Sequence, residues 1–296
     1  MRLTSVWLLF SFVLSSVIAQ ASIPAMPIVA FDPAEPSYLS EGAVNSGTTQ
    51  WKALNRRSML MLSLQHSARL GQRKTTEQLG GPFVKDYFDS LKGISGWKDG
   101  DNTFTNYVAH PIQGAVSGFA FVHANSVAAC QEFGASGSYW KGRLKALAFS
   151  AFYSTQFELG PFSEASVGNV GKKRGTMGFV DLVMTPVGGL GWMIGEDAID
   201  QFVIKRLERK LRRRWQVRAV RVFLNPTRSI ANVLRFKLPW RRDGRQIVRR
   251  GNGEGLDFVA GPCEPNSTVL GMELPTDSAD EGGELPSWPP ADFVRR

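Results

Sequence analysis

Two segments rich in apolar and small residues, 106–130 and 177–195, constrain most strongly what this chain can fold into. Both are interrupted by proline and glycine, and both contain ionisable side chains. In the first segment, His110, Gly114 and Gly118 are spaced by four residues and therefore share one face of a helix. Small residues at this spacing let a second helix approach closely. The pattern predicts apolar helices that pack together through glycine faces.

Helical spacing of apolar residues marks most of the chain between Trp51 and Phe236. The predicted helices are 51–70, a short helix from Pro82, 139–159, a long helix from Glu196, and a last helix from the N-cap pair Asn225-Pro226 to about residue 236. In the third of these, Leu144, Ala151 and Glu158 are expected on one apolar side.

The long helix predicted from Glu196 is amphipathic. Phe202 and Val203 belong to its apolar side. Acidic residues, including Glu196, Asp197 and Asp200, occupy its first turns, where the helix dipole favours negative charge.

Four parts follow from these patterns: a signal peptide over 1–21, an extended leader over 22–50, a helical domain over 51–238 and a basic-then-acidic irregular tail over 239–296. The leader and the end of the tail are rich in proline and polar or small residues, a composition typical of disorder. We therefore predict an all-α protein: a helical bundle with Gly-rich, closely packed apolar helices, between a disordered leader and a disordered tail.

The N terminus has the features of a secretory signal peptide. Arg2 precedes an apolar run from Val6 to Ile18, and Ala19-Gln20-Ala21 then provides a small-x-small cleavage site. The run is shorter than the roughly 20 apolar residues that span a bilayer. We predict an exported protein whose mature chain begins at Ser22 and which lies in the periplasm or associates with a membrane of the cell envelope.

The two cysteines, Cys130 and Cys263, could form a disulfide in an oxidising compartment. They lie far apart in the sequence, and two positions alone do not establish a pairing. The pairing is therefore left open.

Positive charge is concentrated in one part of the chain, which has a net charge of +9. Residues 205–250 contain 17 Lys and Arg against Glu208 and Asp243. Because an exported protein rarely meets nucleic acid, an anionic membrane surface is the predicted partner and nucleic acid is not. The sequence does not identify a protein partner. The basic residues expected to face lipid are Arg209, Lys210, Arg212, Arg213 and Arg214. A solvated basic face, or pairing with the protein's own acidic residues, is the alternative.

Four ionisable residues lie in apolar or small-residue surroundings, where an unpaired charge is costly: His110, Glu158, Asp181 and Glu196. They are the candidate catalytic residues. If they converge, His110 could accept a proton while a carboxylate orients it, or a histidine and two carboxylates could hold a metal. The alternative is structural, with each residue capping or hydrogen-bonding a neighbouring helix.

No catalytic or metal-binding motif supports these residues. The sequences Gly-x-Ser-x-Gly, Walker A, Gly-x-Gly-x-x-Gly and His-Glu-x-x-His are absent. The three histidines are separated by 44 and 13 residues, which is not the spacing of a local zinc pair. The motifs therefore predict no metal and no cofactor.

Several blocks in order resemble a family signature. Asn106-Tyr107-Val108-Ala109-His110-Pro111-Ile112-Gln113-Gly114 is similar to the N-x-x-x-H-P-x-x-G signature of an uncharacterised family of bacterial cell-envelope proteins. The later blocks that resemble this family are Phe157-Glu158, Ser163-Glu164-Ala165-Ser166, Asp181 with Thr185-Pro186 and Gly188-Gly189, Gly195-Glu196, and Asn225-Pro226-Thr227-Arg228. The resemblance covers about residues 107–238 and implies an exported, helix-rich envelope protein. The family has no assigned activity, so the resemblance supplies no catalytic residue.

The leading expectation is a non-enzymatic envelope protein, peripheral to or partly embedded in a membrane, with a structural role or a lipid-surface interaction. The alternative is a membrane-proximal hydrolase or lipid-modifying enzyme that uses His110, Glu158 and Asp181. An open pocket around these groups would favour the enzyme, and a closed core would favour the first expectation.

Overall fold

The computed structural model describes residues 48–77, 82–249 and 256–260. The predicted signal peptide, nearly all of the leader and the acidic end of the tail lie outside them. The helices are α1 (Trp51–Arg69), α2 (Arg73–Thr76), α3 (Phe83–Lys92), α4 (His110–Val122), α5 (Ser126–Ala129), α6 (Gly137–Leu159), α7 (Glu164–Val167), α8 (Phe179–Val183), α9 (Gly189–Ile199), α10 (Lys205–Lys210), α11 (Arg214–Leu224) and α12 (Pro226–Leu234). The predicted all-α class is confirmed.

Two short strands follow the helices. β1 (Arg245–Arg249) pairs antiparallel with β2 (Leu256–Ala260), in a part of the tail that was predicted to be irregular. The guanidinium of Arg245 donates to Asp200 in the helical domain at 3.1 Å, which holds the start of β1 against the helices. A contact over this sequence distance gives no local signal, so the periodicity alone could not indicate the strands.

α4 is the central helix of the bundle. All thirteen of its residues except Ile112 and Gln113 are buried. It packs against α1, α6, α9 and α12, and against a π-helical turn, Met184–Gly188. Phe119 is fully buried in a core that α1, α6, α9 and α12 share. The first apolar segment of the sequence therefore forms the interior of the protein.

Glycines bring α4 close to the second apolar segment. A Cβ atom on Gly114 would lie 1.7 Å from the carbonyl oxygen of Thr185, and one on Gly189 would lie 2.6 Å from the carbonyl carbon of Gly114. A Cβ atom on Gly118 would lie 2.3 Å from the sulfur of Met193. No larger residue fits at Gly114 or Gly189 without movement of the backbone, so the predicted packing through glycine faces is confirmed.

Among the described residues, three π-helical turns interrupt the α-helices: Thr105–Ala109, Met184–Gly188 and Asp200–Ile204. The first leads into His110-Pro111, and the second contains Thr185-Pro186. Proline has no amide hydrogen, and its ring crowds the carbonyl group four residues earlier. The wider π-helical turn relieves this crowding, so the chain continues as a helix past both prolines.

α8, α9 and α10 are joined by the second and third π-helical turns into one helical run over residues 179–210. The residues at the junctions all have right-handed helical dihedral angles. The long helix that was predicted to open at Glu196 therefore begins at Phe179 instead. The acidic residues from Glu196 onward are typical of a helix start, but here they lie in the middle of the run and make tertiary contacts.

Candidate functional site

A buried polar cluster lies where α4, α6 and α8 meet. His110 is the first residue of α4, and its Nε2 lies 3.1 Å from Oδ1 of Asp181 on α8. Its Nδ1 lies 3.0 Å from the hydroxyl oxygen of Thr185. Both ring nitrogens therefore have a polar neighbour. The hydroxyl of Thr185 can donate or accept, so this contact is compatible with either tautomer of the imidazole.

Glu158, in the last turn of α6, completes the cluster. The imidazole of His110 and the carboxylates of Glu158 and Asp181 each provide one donor atom, and these three atoms lie within 4.8 Å of one another. His110 is 3% exposed, and Glu158 and Asp181 are each 4% exposed. We call these three residues the His–Glu–Asp cluster. The structure thus brings together three of the four candidates from widely separated parts of the chain.

The side of α6 that carries Glu158 differs from the predicted one. Leu144 is 55% exposed, so the side that was predicted through Leu144 and Ala151 does not face the core. The buried side instead includes Ser150, Ser154 and Glu158. The two serine hydroxyls donate to main-chain carbonyls of neighbouring helices at 3.2 and 3.3 Å. Apolar spacing could not identify this side, because its small polar residues are satisfied by tertiary hydrogen bonds.

The fourth candidate, Glu196, lies outside the His–Glu–Asp cluster. Its carboxylate accepts the backbone N–H groups of Thr227 at 2.8 Å and Arg228 at 3.1 Å, and the indole N–H of Trp192 at 3.1 Å. Glu196 therefore caps the N terminus of α12, whereas Asn225, the predicted cap, makes no side-chain cap bond. Burial raises the pKa of Glu196, and the two backbone N–H groups oppose that rise. This geometry gives Glu196 a structural role.

Asp197 is the centre of a buried ionic network. Arg143 donates to its Oδ2 at 2.7 Å, and the hydroxyl of Tyr139 donates to the same oxygen at 3.0 Å. The guanidinium of Arg228 pairs with the other oxygen. Arg143 is only 1% exposed. The spacing of Tyr139 and Arg143 by one helical turn was visible in the sequence, but their distant acidic partner was not.

The basic segment, residues 205–250, contains both arginines that pair with acidic residues of the protein and exposed basic residues. Arg221 and Arg245 donate to Glu208 at 2.6 and 2.7 Å. Arg242 donates to Asp200 at 3.1 Å. Burial alone would raise the pKa of Asp200, but the guanidinium groups of Arg242 and Arg245 hold it below its usual value. Part of the segment therefore pairs with the protein's own acidic residues. This pairing was one of the alternatives predicted for the basic segment.

The outward residues collect where α10 ends and α11 begins. They are Arg206, Arg209, Lys210, Arg212, Arg213 and Arg214, all of which are exposed. We call these six residues the cationic cluster; it contains the five residues that were predicted to face lipid. Within the part of the chain that the structure describes, none of the six forms an ion pair.

Apolar side chains lie along the outer face of the 179–210 run. Phe179, Val183 and Val187 are 49%, 39% and 58% exposed, and Phe202 and Val203 are 51% and 43% exposed. We call these five residues the apolar stripe. No helix among the described residues combines the length and the apolar character needed to cross a membrane.

The 179–210 run exposes apolar side chains and buries acidic ones, and Val180, Met193 and Ile204 are also buried on its inner side. Asp181, Glu196, Asp197 and Glu208 are buried on its inner side, while the apolar stripe is exposed. A surface helix normally buries its apolar side and exposes its charges. Phe202 and Val203 were predicted on the apolar side of a helix from Glu196, but the sequence did not show that they are exposed.

The π-helical turns keep the apolar stripe on one face. Each residue of an α-helix advances by about 100° around the helix axis. Over six steps of four residues, from Phe179 to Val203, the side-chain direction would therefore rotate by about 240°. A π-helical turn accommodates roughly one extra residue and so offsets about 100° of this rotation. The two π-helical turns in the run together offset about 200°. Phe179 and Val203 therefore face nearly the same side, and Arg206 and Lys210 continue the stripe at spacings of three and four.

A polar cavity of about 370 Å³ lies among the ionic residues. Its charged lining consists of four arginines and four carboxylates: Arg228, Arg241, Arg242, Arg245, Glu132, Asp197, Asp200 and Asp243. His123 also lines it, and burial, together with the nearby Arg235, lowers the pKa of His123 well below its usual value. The balanced charges pair with one another and give the cavity no clear preference for a cation or an anion.

A scan against protein-family models, a search of curated proteins and a search of solved structures found no match for this chain. The resemblance to the family of bacterial cell-envelope proteins therefore stays a prediction. The function must be argued from the geometry of the chain itself.

Proposed function

We propose that this protein is an exported, non-enzymatic envelope protein that binds an anionic membrane surface through the apolar stripe and the cationic cluster. The observation that carries the proposal is the exposed apolar stripe of the 179–210 run, which lies next to the cationic cluster. Large apolar side chains exposed on one face of a helix are unfavourable in water and mark an interaction site. The cationic cluster at the end of this face selects a negatively charged surface as the occupant.

Both parts of the surface contribute useful binding energy. Burying a Val or Phe side chain is worth about 1.5–3 kcal/mol, so five side chains that are roughly half exposed offer about 5 kcal/mol. Each basic residue near an anionic bilayer adds about 1 kcal/mol, so the six offer about 6 kcal/mol. Stable attachment of a peripheral protein generally needs two such signals, one apolar and one electrostatic.

The elements next to the cationic cluster are compatible with the same membrane-facing surface. Trp215 follows Arg214 directly and is 60% exposed. Tryptophan is enriched at the interface between lipid and water, where its ring and its N–H group are both accommodated. α11, which carries Trp215, packs against the π-helical turn that holds Phe202. The apolar stripe, the cationic cluster and Trp215 thus belong to neighbouring elements.

Two further observations support export. The features of a signal peptide precede the helical domain, with Ala19-Gln20-Ala21 as the cleavage site. Cys130 is disulfide-bonded, and disulfides persist in oxidising compartments. Cys263, the other cysteine of the chain, lies outside the described residues.

The alternative, a membrane-proximal hydrolase or lipid-modifying enzyme, has less support. It would need His110, Glu158 and Asp181 to meet a substrate, and these three side chains are only 3–5% exposed. A closed polar cluster suits a structural role better than one that exchanges substrate and product.

Mass spectrometry of the protein isolated from its native cell tests the export half of the proposal. We expect a mature N terminus at Ser22. An intact Met1 in the localised protein would contradict export and would favour nucleic acid as the partner of the cationic cluster. Vesicle binding of the native chain and of variants in the cationic cluster tests the membrane half.

A further inference from the structure

We propose that the His–Glu–Asp cluster is a closed binding site for one divalent transition-metal ion. The ligands are the imidazole of His110 and one carboxylate oxygen each from Glu158 and Asp181, and one donor atom from each residue lies within 4.8 Å of the other two. One imidazole and two carboxylates suit ions such as Zn²⁺, Mn²⁺ or Fe²⁺. This site is separate from the membrane-binding surface, and neither proposal depends on the other.

The distances fit a shared ion. Zinc binds nitrogen and oxygen ligands at about 2.0–2.2 Å, so two ligands of one ion stand roughly 3–3.5 Å apart. Nε2 of His110 and Oδ1 of Asp181 are 3.1 Å apart. A small closure of Glu158 toward them would complete a three-ligand site.

Thr185 provides the outer support that a histidine ligand needs. Metal-bound histidines usually donate their other ring N–H to an oxygen, which sets the tautomer. The hydroxyl oxygen of Thr185 lies 3.0 Å from Nδ1 of His110 and can accept that proton. The lone pair of Nε2 is then directed toward the carboxylate of Asp181, an arrangement in which a cation between the two atoms is favourable.

The charges of the His–Glu–Asp cluster also favour a bound cation. The cluster places two carboxylate groups beside one imidazole. A divalent cation provides the positive charge that balances two carboxylates. Glu158 lies in the last turn of α6, where the helix dipole disfavours a carboxylate and a nearby cation is favourable.

The three ligands come from three helices, which assigns the metal a structural role. His110 lies on α4, Glu158 on α6 and Asp181 on α8, and the backbones of α4 and the 179–210 run are already in contact through Gly114. Structural metal sites are closed and contribute their binding energy to folding. The ion would therefore enter as the bundle folds and would hold the three helices together.

The test uses the full mature chain. After purification without added metal, metal content is measured by elemental analysis, and thermal unfolding is followed with EDTA and with Zn²⁺ or Mn²⁺ alone. We expect about one ion per chain and a higher unfolding temperature with metal than with EDTA. Replacing a supporting hydrogen-bond partner weakens metal binding by about 10–100-fold, which is the expectation for Thr185→Val.

A matched pair of variants separates this site from general destabilisation. Glu158→Gln should abolish metal retention, whereas Glu164→Gln, a change at an equally buried carboxylate paired with Arg69, should retain one ion per chain. If Glu158→Gln does not fold, the metal content and EDTA response of the native chain still decide the matter. A native chain that retains neither ion and unfolds at the same temperature with EDTA and with metal overturns the proposal. The cluster would then be a proton-sharing hydrogen-bond group.

Discussion

Gly114 and Gly189 touch through their backbones: a Cβ atom on Gly189 would lie 2.6 Å from the carbonyl carbon of Gly114. This contact brings α4 and the 179–210 run to the separation at which His110 reaches both Asp181 and Thr185. The two apolar segments of the sequence thus meet along their glycines. The same approach places the inner, acidic side of the run against the bundle.

Gly114→Ala should therefore destabilise the protein. Alanine is normally better than glycine in a helix by up to about 1 kcal/mol. Here its Cβ would lie 1.7 Å from the carbonyl oxygen of Thr185, and an overpacked core typically loses about 1–3 kcal/mol. Gly191→Ala is the control, because it lies on the same run with nothing within 4 Å of its Cβ. Urea unfolding should show a loss for the first variant and a small gain for the second; a gain for both would contradict the close contact.

Asp197→Ala should be among the most damaging single changes in the ionic network. It leaves the buried Arg143 without its carboxylate partner, and breaking a buried pair costs about 3–5 kcal/mol. Asp89→Ala removes the partner of Lys85 at the surface and should have no measurable effect, because exposed ion pairs contribute little. The free energy of unfolding distinguishes the two, and equal losses would show that Asp197 is not effectively buried.

Stability should fall in acid because of Asp200 and Asp243. Burial would raise the pKa of each, but Arg242 and Arg245 near the first, and Arg235 near the second, lower it below the ordinary value of 3.8. Such carboxylates stabilise the fold above their unfolded pKa, and the contribution is lost as pH falls through the folded one. Glu196 acts in the opposite direction, since its raised pKa makes its ionisation unfavourable as pH rises.

The measurement for this prediction is the free energy of unfolding between pH 7 and pH 2. Asp200→Asn should be less stable than the native chain at pH 7, and its stability should fall less between pH 4 and pH 2. Parallel curves for the native chain and the variant would show that Asp200 does not contribute to acid unfolding.

The apolar stripe should be dispensable for folding. Val187→Asn replaces an exposed side chain, so the free energy of unfolding should change by less than about 0.5 kcal/mol. Phe119→Ser, at a fully buried position, should lose several kcal/mol, since removing a core phenylalanine costs about 3–5 kcal/mol. A loss of several kcal/mol at Val187 would mean that the stripe is buried in the folded protein, for example against another chain.

Sequence patterns identified the helical class and the glycine contacts because both depend on local spacing. They also identified His110, Glu158 and Asp181 as ionisable groups in apolar surroundings. They did not indicate that Leu144 is exposed or that the apolar side of the 179–210 run faces outward. Periodicity shows that a helix has two sides but not which side meets the core, and that choice depends on tertiary hydrogen bonds and ion pairs.

The ionic network shows the same limit. Arg143 and Asp197 are 54 residues apart, and Arg245 and Asp200 are 45 residues apart. Such pairs produce no periodic pattern in the sequence. A run of basic residues also has the same sequence pattern whether its side chains are buried or exposed. The division of the 205–250 segment into paired arginines and the cationic cluster therefore required the fold.

Vesicle binding of the mature chain tests the membrane proposal most directly. Flotation with anionic and neutral vesicles is compared for the native chain, for Arg212→Glu/Arg213→Glu/Arg214→Glu, and for Lys52→Glu/Lys98→Glu/Lys141→Glu, which makes the same change in charge at other exposed positions. At about 1 kcal/mol per basic residue, loss of three cations should weaken binding to anionic vesicles about 100-fold or more.

The native chain should bind anionic vesicles more tightly than neutral ones, and binding should weaken with salt because exposed charges are screened over about 8 Å at physiological ionic strength. The Arg212, Arg213 and Arg214 variant should lose most of this binding, and the lysine control should retain most of it. Equal binding by the native chain and the arginine variant, or equal losses in both variants, would contradict the account.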